Sequence, residues 1–171
     1  MPSPYIRPVD RADLKAIAAL ERQCFSEPWP ANAFAEFSDA EGFLVAIDPV
    51  EGMTNTPGQP LDGHLAGYIV TTPAGMHDSA ALHIRNLAVD ARYRRQGVAS
   101  RLIRASVNRY PDGKFSSVRL EVRPSNSSAI ALYRHWGFRV IKRIPQYYED
   151  GEAALVMSRP IDAAIAGHQT G

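Results

Sequence analysis

Residues 87–100 constrain the fold most: an apolar run, Leu87-Ala88-Val89, leads to a basic turn, Arg94-Arg95-Gln96-Gly97, and then to Val98-Ala99-Ser100, where helical spacing begins. A strand that turns directly into a helix presents the helix's unsatisfied first N–H groups and the positive end of its dipole. That combination suits an anion such as a pyrophosphate. The small residues Gly97 and Ala99 let a ligand approach the backbone closely. Arg92, Arg94, Arg95, Arg101 and Arg104 add positive charge nearby. Taken alone, a capped helix with a solvated basic face accounts for the same residues, because short glycine motifs carry little specificity.

The remaining pattern alternates short strand-like runs with helical periods, as in an α/β or α+β domain. Residues 5–9 read as a first strand. Asp10 can cap a helix whose face carries Leu14, Ile17, Ala18, Glu21, Cys24 and Phe25. Pro28-Trp29-Pro30 ends it, and 31–37 reads as a short second helix. Strands are expected over 43–47, 65–72 and 80–89, with a turn over 73–79. Residues 48–63 lack periodicity and are rich in Pro, Gly and Asn, so a long mobile loop is expected there. A helix over 97–109, a strand over 118–122 and a helix over 127–136 follow. Gly137 suits a left-handed helix cap, with Phe138 as its hydrophobic contact. Runs 138–144 and 153–158 read as a closing hairpin, and a frayed tail is expected beyond Pro160.

Composition narrows the function. At 171 residues the chain fits one domain with a substantial core. A net charge of +1 argues against broad electrostatic binding to nucleic acid or anionic membrane. Cys24 is the only cysteine, so neither an internal disulfide nor a multi-cysteine metal site is available. As an apolar-face thiol it reads as buried rather than nucleophilic. His64, His77, His83, His135 and His168 show no metal-ligand spacing, and no metal is expected. Residues 1–10 are polar and proline-punctuated, unlike a secretory segment, and no apolar run approaches about 20 residues. A cytoplasmic location is the expectation.

The turn does not stand alone. Arg94, Gly97 and Ala99 occupy the places of the Arg/Gln-x-x-Gly-x-Gly/Ala motif, and the segment resembles the central motif of the GNAT acetyltransferase superfamily. The likeness continues through Leu120-Glu121-Val122-Arg123-Pro124-Ser125-Asn126 and Ser127-Ser128-Ala129-Ile130-Ala131-Leu132-Tyr133 to Gly137-Phe138. Gln146-Tyr147-Tyr148, Ala154-Leu155-Val156-Met157 and the 24–30 stretch look like RimI-type and archaeal N-terminal acetyltransferases. Two features depart from that pattern: the long 48–63 segment, and Arg85, which places a charge close to where substrate would lie. The resemblance implies a mixed, mostly antiparallel central sheet flanked by helices, with acetyl-CoA in the splay between two central strands. It implies one acetyltransferase domain over 1–160 and a flexible tail over 161–171.

It also implies roles. Leu87, Ala88 and Val89 would offer main-chain groups to the pantetheine arm of acetyl-CoA. Arg95, Gln96, Gly97, Val98, Ala99 and Ser100 would hold the pyrophosphate. Asn126 would bond the cofactor arm, or cap its helix, or do both. Glu121 matches the family's general base. In a core strand an unpaired carboxylate is costly, and Arg119 and Arg123 are expected to project away from it, so a cleft-facing carboxylate is the preferred reading. Tyr133 matches the general acid, although a core aromatic at helical spacing is an equal reading from position alone. Tyr147 and Tyr148 would line the groove for the acceptor, or form an exposed hairpin pair. The implied reaction is acetyl transfer to the α-amine of a protein or peptide. The alternatives are a small-amine acetyltransferase for polyamines, amino acids or aminoglycosides, and a non-catalytic acetyl-CoA-binding module.

Overall fold

The computed structural model describes residues 3–50, 63–75, 80–162 and 165. Its strands are β1 (Tyr5–Pro8), β2 (Gly42–Pro49), β3 (Gly63–Pro73), β4 (Ala81–Val89), β5 (Ser117–Val122), β6 (Arg139–Ile144) and β7 (Ala154–Pro160). Its α-helices are α1 (Leu14–Cys24), α2 (Ala31–Glu36), α3 (Val98–Val107) and α4 (Ser127–His135). The strands follow the order β1-β2-β3-β4-β5-β7-β6 in a mostly antiparallel sheet flanked by helices. The parallel pairing is β4 with β5. Among the described residues no helix is long and apolar enough to cross a membrane.

The chain groups into two compact units, one of Met1–Thr72 with Asn86–Tyr110, the other of Pro73–Arg85 with Pro111–Gly171. In the first, the Asp10 carboxylate accepts from the Ala12 N–H at 2.8 Å, and Asp13 reciprocates to the Asp10 N–H at 2.8 Å. This capping box starts a 3₁₀ turn, Arg11–Asp13, that runs into α1. The α1 face then buries Ile17 and Leu20 with Phe34 of α2, Phe43, Val45 and Ile47 of β2, and Tyr68 of β3. The alternate residues Leu44 and Ala46 are buried too, and α3 packs against β2. A strand covered on both sides needs the continuous apolar run that 43–47 supplies.

Pairing carries β2 and β3 past the point where composition changes. Asp48 lies opposite His64 and Pro49 opposite Gly63, so Asp48, Pro49 and Gly63 belong to strands and not to the expected loop. Positions 51–62 of that segment and 76–79 of the expected turn lie outside the described residues.

In the second unit, β5 alternates buried Val118, Leu120 and Val122 with half-buried Ser117, Arg119 and Glu121. Helix α4 ends at Gly137, whose φ of 81° is the left-handed conformation. The Phe138 N–H reaches the Tyr133 carbonyl at 2.9 Å and the Gly137 N–H reaches that of Arg134 at 2.9 Å. These two bonds, with Phe138 packed edge-on to Tyr133 at 5.7 Å, form the complete Schellman cap. A Cβ at Gly137 would meet only the Arg159 guanidinium at ordinary distance, so the conformation alone selects glycine. Gly137→Ala should therefore cost about 1 kcal/mol. Thermal unfolding should show a Tm drop of roughly 2–4 °C, and an unchanged Tm would show that the cap is not needed.

The chain beyond Pro160 is better anchored than expected. The Ile161 N–H donates to the Ser116 carbonyl at 2.8 Å. The Asp162 carboxylate accepts from Arg159 and from the Ile165 N–H, and Ile165 is fully buried. A buried apolar side chain outweighs the terminal position. Residues 163–164 and 166–171 of the expected tail lie outside the described residues.

Candidate active site

In the first unit, β4 ends at Val89 and Asp90 caps a 3₁₀ turn, Ala91–Tyr93, by accepting from the Arg92 N–H at 2.9 Å. Arg95 and Gly97 then take positive φ values of 60° and 76°. Left-handed geometry at a non-glycine residue such as Arg95 costs energy that functional turns tolerate. Helix α3 begins at Val98, and its first bond runs from the Arg101 N–H to the Gly97 carbonyl at 3.0 Å. The amides of Val98 and Ala99 precede that bond, as an anion site requires. A Cβ built on Gly97 would meet nothing within 4 Å, so the space beside this turn is open.

The arginines divide their work in a way that sequence did not reveal. Arg94 donates to the Val89 carbonyl at 3.1 Å and to the Cys24 sulfur at 3.7 Å, bracing the turn against the end of β4. Arg92 pairs with Asp90 at 3.0 Å and holds that carboxyl below its ordinary range. Arg101 donates to the Pro4 carbonyl. Arg92, Arg94 and Arg101, all expected around the anion, are therefore engaged by structural partners. Burial pushes the Cys24 thiol up, which keeps it protonated and a poor nucleophile.

Strand β4 is tied to α1 at Asn86. The buried Glu21 carboxylate accepts from Asn86 Nδ2 at 3.0 Å, from the Trp29 N–H at 3.0 Å and from the Tyr68 hydroxyl. Asn86 Oδ1 in turn accepts the Leu87 N–H at 2.9 Å. One carboxylate thus fixes the 25–30 connection and the start of the Leu87-Ala88-Val89 segment.

In the second unit, His83 Nε2 lies 2.5 Å from Glu121 Oε2, with both side chains largely buried. The register makes the meeting possible. His83 sits opposite Arg119 in the parallel ladder, and Glu121 is one alternation further along β5. Sequence reading missed His83, treating it only as a failed metal ligand. Its position between Leu82 and Ile84, on the polar alternation of an apolar strand, was the available signal.

The expectation for Arg119 and Arg123 is corrected here. A period of two gives residues 119 and 121 one face, and 123 follows in the same parity, so alternation never separated them from Glu121. Arg123 instead pairs with Asp150 at 2.7 Å and with Glu152 at 2.8 Å. Its guanidinium also lies 3.8 Å from the centre of the Tyr148 ring. Glu152 accepts from the Ser125 N–H at 3.0 Å, and bonds from Ser125 and Arg123 hold its carboxyl down at about 2. The Glu152 carbonyl receives the N–H groups of both Tyr147 and Tyr148. The tyrosine segment is thereby clamped to the connection between β5 and α4.

Tyr147 and Tyr148 meet edge-on at 5.0 Å, and Tyr147 is exposed. Burial, then Tyr147, pushes the Tyr148 hydroxyl up to about 12. Tyr133 is buried, and that burial raises its hydroxyl further above the ordinary phenol value, so it is a proton donor at neutral pH. Asn126 Oδ1 caps α4 by accepting the Ala129 N–H at 3.2 Å. That uses the acceptor of the amide and assigns the capping half of its expected role. Among the described residues no group of three or more His, Cys, Asp or Glu could hold a metal ion.

The chain is similar to known acetyltransferases in sequence and in fold. Residues 14–138 match the acetyltransferase (GNAT) family. An N-alpha-acetyltransferase of Saccharolobus solfataricus is 32% identical, the alignment covering 87% of this chain and 88% of the relative. The ribosomal protein bS18-alanine N-acetyltransferase of Escherichia coli is 31% identical over 91% of this chain and 97% of its own. Among solved structures, a chain of the NatC complex bound to Gag peptide and CoA superposes with a TM-score of 0.77 at 25% identity. That match covers 94% of this chain and all of the other.

Proposed function

Because the chain belongs to the GNAT family of acetyltransferases, we propose that it transfers the acetyl group of acetyl-CoA to the α-amine at a protein or peptide N-terminus. The observation that carries this reading is the His83–Glu121 pair in the unit that also carries Tyr147 and Tyr148. Attack on a thioester needs a neutral amine. At pH 7 an α-amine with a pKa near 8 costs only about 1.4 kcal/mol to deprotonate, and a lysine near 10.4 costs about 4.6. An imidazole backed by a carboxylate is a base of the modest strength the first task needs. Glu121 takes the Nε2 proton of His83 as a hydrogen bond, leaving Nδ1 to accept from the ammonium.

Acetyl-CoA supplies the activated thioester. The open space at Gly97, the amides of Val98 and Ala99 and the positive end of α3 fit its pyrophosphate. In this reading Arg95, Gln96 and Ser100 complete that cradle, and Leu87, Ala88 and Val89 bond the pantetheine arm. Asn126 offers its amide hydrogens to the same arm. Tyr133 gives its proton to the departing thiolate, and Tyr147 and Tyr148 line the acceptor groove. A ribosomal protein or a nascent chain in the cytoplasm is the expected partner.

Release of free thiol from acetyl-CoA tests the proposal, measured with N-terminal peptides, with polyamines and amino acids, and with no acceptor. Turnover should depend on peptide. Turnover on small amines alone would reassign the acceptor, and none on any amine would leave a binding module. The cradle is tested separately. Gly97→Glu puts a carboxylate and bulk into the open space, and should raise the acetyl-CoA Kd at least about tenfold by calorimetry. Gly97→Ala carries the same backbone penalty without the charge and should bind within a fewfold of wild type. Equal affinity for all three proteins would remove the pyrophosphate from this turn.

A further inference from the structure

Arg85 is a residue that the proposed reaction leaves without a task. It is exposed on β4, two positions beyond His83 and therefore on the same face of the strand. Successive side chains on one face of a strand are about 6.8 Å apart, roughly the span of two residues of an extended peptide. His83 in turn touches Glu121 at 2.5 Å. The charge of Arg85 reaches the exposed Tyr147: burial raises that hydroxyl first, the Glu121 carboxylate adds to the rise, and Arg85 opposes both.

We infer that Arg85 is a specificity-determining residue that favours acceptors with a carboxylate side chain within their first two residues. The inference rests on the α-amine reading above, with the amine at the His83–Glu121 pair. An extended acceptor that starts there carries its first or second side chain to Arg85. An Asp or Glu at that point gains a charge-assisted contact, and a Lys or Arg meets a like charge. The contact lies at an exposed position, so its strength is that of a partly screened pair.

The test is a set of peptides identical except for Asp, Ser or Lys at position 2, with a further peptide carrying its Asp at position 5. For each, kcat/KM is measured on wild type, Arg85→Leu and Arg85→Glu. Ratios between peptides on one enzyme are read, so any loss of stability in a variant cancels. Wild type should prefer Asp to Ser at position 2 by about fivefold and disfavour Lys by a similar factor. Asp at position 5 should give no preference. Arg85→Leu should bring the three position-2 peptides together, and Arg85→Glu should invert their order. The wild-type preference should shrink at high salt. Ratios that are the same on all three enzymes, with every peptide still acetylated, would overturn the assignment to Arg85 and leave the α-amine reading standing. Failure of every peptide to react, with small amines accepted, would overturn both.

Discussion

Glu121→Gln should slow acetyl transfer to an N-terminal peptide by about 10²- to 10⁴-fold near neutral pH, the usual range for loss of a general base. Glutamine keeps the size of the side chain and can still accept from His83 Nε2. What it removes is the negative charge that stabilises the imidazolium formed when His83 takes the ammonium proton. The sign of the pH dependence follows from the acceptor. Below a pKa near 8 the amine is mostly ammonium and the base is needed; above it, solvent has already done the work. The deficit should therefore be largest at low pH and should shrink as pH rises through 8 and beyond. His83→Ala should show the same recovery. Because the two side chains act as one unit 2.5 Å apart, the double variant should lose little more than either single one. Single-turnover rates keep product release from masking the effect. A loss that stays constant across pH would show that Glu121 only positions its neighbours.

Tyr133→Phe should lower the rate by a comparable factor, about 10²- to 10⁴-fold, with the opposite pattern. Phenylalanine preserves the ring that packs on Phe138 at 5.7 Å, so the helix cap and the core should hold. The missing hydroxyl is the one that burial keeps protonated. Its proton is needed when the thiolate leaves, whatever the state of the amine. The loss should therefore persist at high pH. It should shrink with a thioester whose thiol is more acidic, because such a thiolate leaves without help. An equal loss with every thioester would return Tyr133 to the status of a core aromatic.

Much of this arrangement was legible because it is local. The Asp10 cap, the Gly97 turn and the Gly137-Phe138 cap each depend on residues within a few positions of one another. Chemical type at fixed spacing is enough to find them. The mostly antiparallel sheet and the family likeness also agree with the residues that carried them. What sequence could not show are the contacts made across the sheet. His83 meets Glu121 only because β4 and β5 pair in parallel in one particular register, and a shift of one residue would turn either side chain to the opposite face. Arg94 is the first residue of the recognised motif, yet its guanidinium holds the Val89 carbonyl and the Cys24 sulfur, 70 residues away in sequence. The clamp of Arg123 on Asp150 and Glu152 is of the same long-range kind. The misjudged alternation around Glu121 is a different matter. Period-two parity was available in the sequence and points to one face for 119, 121 and 123.

The central claim, an α-amine acceptor, is tested most directly by one peptide that carries both a free N-terminus and an internal lysine. Incubated with the enzyme and acetyl-CoA and then fragmented in a mass spectrometer, it reports both outcomes in a single spectrum. The difference in deprotonation cost, about 3 kcal/mol at pH 7, predicts more than about 100-fold preference for the α-amine. The acetyl group should appear only on fragments that contain the N-terminal residue. Acetyl found on the lysine alone, or on both amines equally, would contradict the account.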